Sequence, residues 1–476
     1  MMIGNDMKRS LIDFLPEHAA MDPVSFHMPG HKGSGFYKDM GYGAVLDKLM
    51  DCDITEIPGA DNLFQTEDVI LSVMEKYRAL YGSKKSYILV NGSSVGLITA
   101  ILSVSRRGGK VIMARNSHKS IFNAMTLGGL EPVYLFPEIM KGYGILGGIS
   151  PDEVERLIKE NPDASCVILP SPNYYGICSD IRAIAGICHE KNIPLIVDQA
   201  HGAHLKFMGE GYPEAAEDCG ADIVINSTHK TLASWTQTAV MNVMSDRVSL
   251  PVVENWLQIL ESSSPSYPLM LSLDINAEIL LDENKGSKAI GEWKQAVDLF
   301  YEKAAEIPGL KVIEDPWLDH TKINIDMSAY GLTGNMLEEK LMERGIFVEL
   351  VTGNIIMCMT GIGTSREHIT KLLDALKEIA GDGERSEAKK DAPDFSSILT
   401  ARLEKTSVPE TKISMPLLEC AGRVSAASII PYPPGIPLAC PGEILTEEIV
   451  EYVSELRKMG EKVIGVSEDG RILVGK

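Results

Sequence analysis

The chain has 476 residues, with 45 Lys and Arg against 66 Asp and Glu, a formal net charge of −21 and a 45% hydrophobic share. So acidic a chain lacks the basic surface that displaces counterions from a nucleic acid, and no DNA or RNA partner is expected. The hydrophobic share excludes a disordered acidic tail, and the length suffices for about three domains with buried cores.

Residues 1–22 lack the long apolar core of a signal peptide, and no stretch approaches the ~18 unbroken apolar residues of a membrane helix. No membrane partner is expected, and the expected location is the cytoplasm. The cysteines at 52, 166, 178, 188, 219, 358, 420 and 440 lie far apart with no C-x-x-C pair, which predicts buried reduced thiols. An N-terminal segment, 1–63, precedes the first regular alternation. Between 64 and 245, short apolar runs at 86–90, 110–113, 166–169, 195–197 and 221–225 alternate with amphipathic stretches of crossover length. This pattern predicts a doubly wound α/β domain with a mainly parallel sheet, over residues 64–310, whose last 40 or so residues are mostly helical. Residues 311–380 mix strands with helices and predict a smaller α/β domain. A polar, charged stretch at 381–394 reads as a linker. Residues 395–476 carry the turn-rich Pro431-Tyr-Pro-Pro-Gly-Ile-Pro437 and predict a small third domain.

In such sheets ligands collect beyond the carboxyl ends of the strands. After the first run comes Asn91-Gly-Ser-Ser-Val-Gly96, opening a helix. Its N–H groups, hydroxyls and dipole suit a phosphate, while a plain helix cap at Ser93 or Ser94 is the alternative. The same residues spell G-x-S-x-G, with Ser94 as a hydrolase nucleophile. Ser227-Thr-His-Lys230 matches the S-x-x-K of penicillin-binding enzymes, without their S-D-N or K-T-G. After the run at 195–197 comes Asp198-Gln-Ala-His-Gly-Ala-His204, and one strand later Lys230 reaches the same edge. Asp198 and Lys230 could form a structural ion pair, since an unpaired buried charge is costly. Taken together, a phosphate cradle, a strand-end carboxylate and a strand-end lysine are what pyridoxal phosphate requires. The spacings of His27 and His31, and of His201 and His204, could hold a metal, but Pro29 and Gly30 oppose a helical i, i+4 pair and no metal is expected. The acidic stretch 51–61 reads as a solvated face or as an attractor for a cationic side chain.

Several segments resemble the ornithine/lysine/arginine decarboxylase family, in particular its shorter bacterial arginine/lysine branch. They are Phe26-His-Met-Pro-Gly-His-Lys-Gly33, the stretch 53–63, Arg115-Asn-Ser-His-Lys-Ser120, Pro172-Asn-Tyr-Tyr-Gly176, Asp198-Gln-Ala-His-Gly202, Ser227-Thr-His-Lys230 and the run 431–437, in family order along most of the chain. The resemblance implies a fold-type-I pyridoxal-phosphate enzyme, aspartate-aminotransferase-like, that decarboxylates a basic L-amino acid: arginine to agmatine first, lysine second, ornithine third. It makes Lys230 the Schiff-base lysine, pairs Asp198 with the pyridine nitrogen and stacks His118 on the ring, where it could also donate a proton. It assigns the phosphate to Ser93 and Ser94 with Ser227 and His229 beside it, and lines the other face with Ala200 and His201. Ser264, in Ser262-Ser-Ser-Pro265, resembles a segment reaching the neighbouring subunit's phosphate, which implies a homodimer or higher oligomer with residues 1–63 contributing to site and dimer. Gln199 departs from the acidic residue usual in relatives and removes a charge near the site. Arg366 is the small-domain arginine to test as a carboxylate clamp, which a decarboxylase should lack, and a surface position is expected for it.

Overall fold

The computed structural model describes residues 10–140, 142–382, 398, 401–432, 436–458 and 462–476. All five apolar runs become strands of a seven-stranded sheet: β1 Lys85–Leu89, β2 Lys110–Ala114, β3 Glu131–Leu135, β4 Cys166–Pro170, β5 Leu195–Asp198, β6 Ile223–Asn226 and β7 Ala239–Val243, in the order β1-β7-β6-β5-β4-β2-β3. β7 runs antiparallel to both β1 and β6, and the other neighbours are parallel. Six carboxyl ends therefore point to one edge of the sheet. The two strands absent from the sequence pattern have physical reasons to be missed. β3 is an edge strand with only Leu135 buried, and β7 returns directly after the lysine segment without a crossover helix.

Both faces of the sheet are covered, as its continuous buried strands demand. Leu97 and Ile101 of helix Gly92–Val104, Ile121 and Met125 of Lys119–Gly128, and Val253 and Leu257 of Leu250–Leu260 pack one face. Val154 and Leu157 of Pro151–Glu160 with Ile184 and Cys188 of Ile181–Glu190 pack the other.

The smaller domain is a four-stranded antiparallel sheet of Lys311–Val312, Lys322–Asp326, Ile355–Met359 and Leu350–Thr352. An N-terminal strand, Val24–Phe26, pairs in parallel with Ile346–Val348 beside it, so the start of the chain is built into the smaller domain. Helix Glu283–Ala304 serves both domains. Ala289 and Trp293 pack against Tyr37 and Ala233, whereas Ala296, Phe300 and Ala304 join the small-domain core beside helix Arg366–Asp382. That helix runs through 381 and 382, which the sequence reading gave to the linker; residues 383–394 and Pro433, Pro434 and Gly435 of the proline-rich run lie outside the described residues.

The C-terminal unit pairs Lys412–Pro416 with Arg471–Gly475 and Ile430–Tyr432 with Lys462–Ile464 beside helix Glu447–Lys458. All cysteines are free thiols and all but Cys52 are buried. Among the described residues no helix is long and apolar enough to cross a membrane.

Candidate active site

β1 leads through Asn91 into helix Gly92–Val104, and Gly92 takes φ +80, a backbone state that glycine enters without a Cβ clash. Asn91 occupies the N-cap position and no side chain caps this helix, so Ser93 and Ser94 are not spent as caps. Their N–H groups lie in the first turn, where a helix has no internal acceptors. The hydrolase alternative fails on geometry. The histidine hydrogen bonds nearby go to Ser120, Thr238 and Lys230, and among the described residues none reaches Ser94. Gly96 instead packs helix on sheet, where an added Cβ would come 2.6 Å from Leu89 Cδ1.

Asp198 ends β5, level with Pro170 of β4 and Ile225 of β6. β6 continues through Ser227 into the single turn Thr228–Thr231 that carries Lys230. No ion pair joins Asp198 and Lys230 among the described residues, so the structural-pair alternative is not realised. Asp198 Oδ1 accepts the Ala200 N–H at 3.1 Å, and Lys230 Nζ meets His201 Nε2 at 2.9 Å. Burial raises the Asp198 pKa against the pull of Lys230 and the Ala200 N–H. Burial lowers that of Lys230 against Asp198 and Glu349, with Lys322 lowering it further. Two buried ionisable groups that feel each other without bonding are the kind of pair a ligand site keeps.

The histidines around Lys230 are neutral. His118 caps helix Lys119–Gly128, its Nδ1 accepting the Ser120 N–H at 3.3 Å with Ser120 Oγ at 2.9 Å, which leaves the ring proton on Nε2. Burial and the charges of Lys230 and Lys119 push it down to about 3. His229 Nδ1 donates to the Thr238 carbonyl at 2.7 Å, and burial, with Lys230 adding to it, lowers its pKa to about 4. His201 is lowered well below its ordinary value by burial, then by Lys230 and Lys322. The Tyr174 ring lies 4.9 Å from His201, and His201 Nδ1 is buried without a partner, as is Ser227 Oγ. Ala200 is buried beside them. Ser264 is exposed, and its N–H bonds the Ser262 hydroxyl at 3.3 Å rather than any group around Lys230.

The loop before His118 is anchored by Arg115. Its Nη1 donates to the Pro437 carbonyl at 2.7 Å, and its Nη2 to the Leu438 carbonyl at 3.0 Å and Glu443 Oε2 at 3.2 Å, so the C-terminal unit holds the segment that presents His118.

On the other side of Lys230, the His27–Lys32 loop lies main chain against main chain. Gly30 N–H donates to the His229 carbonyl at 2.8 Å, Gly363 N–H to the Gly30 carbonyl at 3.0 Å, and Ile362 N–H to the Thr231 carbonyl at 2.8 Å. A Cβ on Gly30 would sit 2.5 Å from the Thr231 carbonyl carbon, so only glycine permits this approach. His27 bonds the Met28 carbonyl and His31 Nδ1 accepts the Gly33 N–H, and neither turns toward the other as a metal pair would. Glu349 of the smaller domain accepts the Met28 N–H at 2.9 Å, and its charge reaches Lys230, Lys32 and His27. Burial, against the opposing charge of Glu349, brings Lys32 to about 7. No motif marks Glu349 in the sequence, and only the fold brings it to this place.

Gln199 does not take part. Its Nε2 donates to Glu217 Oε2 at 2.8 Å and Asn226 Oδ1 at 3.0 Å, and its Oε1 accepts the Ala216 N–H at 2.7 Å. The carboxylate missing at 199 is thus present at Glu217, within a buried amide network. Asp61 accepts main-chain N–H groups of Glu67, Asp68 and Ile70 at 3.0 Å, which makes it a cap for helix Val69–Tyr81. Arg366 is exposed at the start of its helix.

The arrangement offers a helix N-terminus with hydroxyls, a carboxylate and an amine at neighbouring strand ends, and neutral imidazoles between them. The chain matches the Orn/Lys/Arg decarboxylase major domain over residues 10–323 and the C-terminal domain of the same family over residues 399–471. It is 33% identical over 468 residues to a protein of Halalkalibacterium halodurans named arginine decarboxylase, covering 95% of this chain and 94% of that one. A Bacillus subtilis protein of the same name is 32% identical over 454 residues, with 92% and 91% covered. Among solved structures, lysine decarboxylase A from Pseudomonas aeruginosa shares the fold with a TM-score of 0.77 at 20% identity, covering 97% of this chain and 80% of that one. The chain belongs to the Orn/Lys/Arg decarboxylase family and has the α/β architecture of fold-type-I pyridoxal-phosphate enzymes.

Proposed function

We propose that this chain decarboxylates a basic L-amino acid with pyridoxal phosphate, arginine to agmatine in the first place, as a homodimer or higher oligomer in the cytoplasm, on a route to polyamines. The observation that carries the reading is the pair Asp198 and Lys230, buried at adjacent strand ends and bonded to other groups rather than to each other. The residues present fit the cofactor: an uncapped helix start at Ser93 and Ser94 and a buried, unpartnered hydroxyl at Ser227 suit its phosphate. The arginine decarboxylase relatives at 33% and 32% identity favour arginine over lysine, since the relative named lysine decarboxylase LdcA is 22% identical.

In this reading Lys230 is the covalent anchor, and Ser93, Ser94, Ser227 and His229 hold the phosphate. Asp198 keeps the pyridine nitrogen protonated. His118 covers one ring face and carries a proton at Nε2 for the carbon that loses CO2, while Ala200 and His201 line the other face. Bound there, the cofactor supplies the electron sink that accepts the electron pair left by departing CO2. Ser264 serves the partner's phosphate, consistent with its exposure in one chain. Glu349 faces the cationic end of the substrate; like Asp198, it is a carboxylate whose charge reaches Lys230.

Amine release from arginine, lysine and ornithine, together with borohydride reduction and peptide mapping, tests the reading. The expected result is agmatine formation and cofactor label on Lys230; label elsewhere, or none, overturns it. Glu349→Gln should raise KM for the basic amino acid by roughly 10- to 100-fold, the loss of one hydrogen bond to a charged group.

A further inference from the structure

Behind Lys230 lies a group of buried polar side chains that the proposed reaction does not use. Asp319, Thr321 and Lys322, at the entry to strand Lys322–Asp326, and His204 all have 0% exposure. Lys322 Nζ donates to the His201 carbonyl at 2.9 Å, to Asp319 Oδ2 at 3.1 Å and to Thr321 Oγ1 at 3.2 Å, so each ammonium proton has an acceptor. Asp319 Oδ2 also meets His204 Nε2 at 3.1 Å, and His204 Nδ1 meets Thr231 Oγ1 at 3.2 Å. The buried Trp293 ring packs 5.0 Å from His204. Two lines therefore run from this cluster to Lys230. One passes through the His201 main chain to the imidazole that touches Nζ, and the other through His204 to Thr231, the next residue. Stability alone gives little reason to keep a buried ion pair, because apolar replacements of the same volume are often neutral or better.

We propose that Lys322, held by Asp319 and His204, is a positioning residue for Lys230: it fixes the His201 main chain, and its immobile positive charge favours the uncharged amine at Lys230. Resting on the reading of Lys230 as the cofactor lysine, this gives the charge a use. To capture the cofactor, the Nζ lone pair must attack the aldehyde carbon; the C–N bond forms, and the carbonyl oxygen leaves as water with two protons. Only the uncharged amine has that lone pair. Lys322 is the cation that lowers Lys230 after burial, whereas Asp198 and Glu349 act the other way. Among the described residues, the other titratable groups around Lys230 are His118, His201 and His229, all driven toward the neutral form chiefly by burial, and the Glu349 charge that reaches Lys230 also acts on Lys32.

The test follows pyridoxal phosphate capture by the cofactor-stripped full chain against pH, by visible absorbance, with reduction and peptide mapping to identify the lysine. Lys322→Met should move the midpoint of the capture rate up by about one pH unit, or roughly tenfold slower capture below it. Lys322→Arg, which keeps the charge, should retain the original midpoint. Asp319→Asn/Lys322→Met, which removes the pair without stranding a charge, should fall between and carries the test if the single variant does not fold. An unmoved midpoint with the label still on Lys230 overturns this inference alone. Label on another residue overturns the assignment of Lys230 and this inference with it.

Discussion

At Lys322 every ammonium proton has an acceptor, while at Lys230, linked to it by side-chain contacts through Asp319, His204 and Thr231, the amine meets only an imidazole among the described residues. The corresponding carboxylates differ in the same way. Burial would raise Asp319, yet Lys322 and His204 hold it far below the usual carboxylate range, whereas burial lifts Asp198 because Lys230 and the Ala200 N–H do not offset it. Arg115 and Glu443 follow the first pattern, deep between the large domain and the C-terminal unit. Buried charges that hold other groups in place are thus closed upon each other, while Asp198 and Lys230 are left open.

The comparison breaks first at Asp198. Asp198→Asn keeps the shape and the contact with Ala200 but not the charge, so kcat should fall by roughly 10²- to 10⁴-fold. Thermal unfolding should change little, and steady-state amine production beside a melting curve checks both; a kcat within tenfold of the parent would place Asp198 among the architectural charges. The closed pair should respond in the opposite sense. Arg115→Met strands Glu443 and should cost about 3–5 kcal/mol in urea unfolding, and Arg115→Met/Glu443→Leu should recover most of it. The neutral histidines act gradually, unit by unit of pH, rather than in one loss. The unfolded chain protonates near 6.5, but the folded chain holds out to about 4 at His229 and about 3 at His118. Below 6.5 the unfolded state therefore binds more protons, and stability falls as pH drops from 6.5 toward 4, by about 1.4 kcal/mol per unit for each histidine. Urea midpoints of the cofactor-free chain across that range check it, and His229→Asn should flatten the slope.

The open pair was legible in the sequence and the closed ones were not. Asp198 and Lys230 follow apolar strand runs, and a parallel sheet forces both to one edge, so local pattern alone brings them together. Ser93, Ser94 and His118 were readable for the same reason. Lys322, Asp319 and Glu349 come from the smaller domain, which takes in Val24–Phe26 beside Ile346–Val348 and meets the lysine turn at Gly30 and Ile362, contacts no local period encodes. The sequence around Gln199 makes it read as a charge removed from the site. Alternation along the chain turns its side chain the other way, onto Glu217. Asp61 looked like part of an acidic field, but its φ of +69 lets one carboxylate gather several N–H groups, a turn geometry that composition does not reveal.

The close crossing at Gly30 sets a limit on motion. The bonds from Gly30 to His229, from Gly363 to Gly30 and from Ile362 to Thr231 stitch the lysine turn, the N-terminal loop and the smaller domain into one piece. Swinging the smaller domain outward, with or without the N-terminal loop, would tear two of these main-chain hydrogen bonds beside Lys230. The turn that carries Lys230 is thus tied on one side to the N-terminal loop and on the other to the smaller domain, which limits its freedom to move.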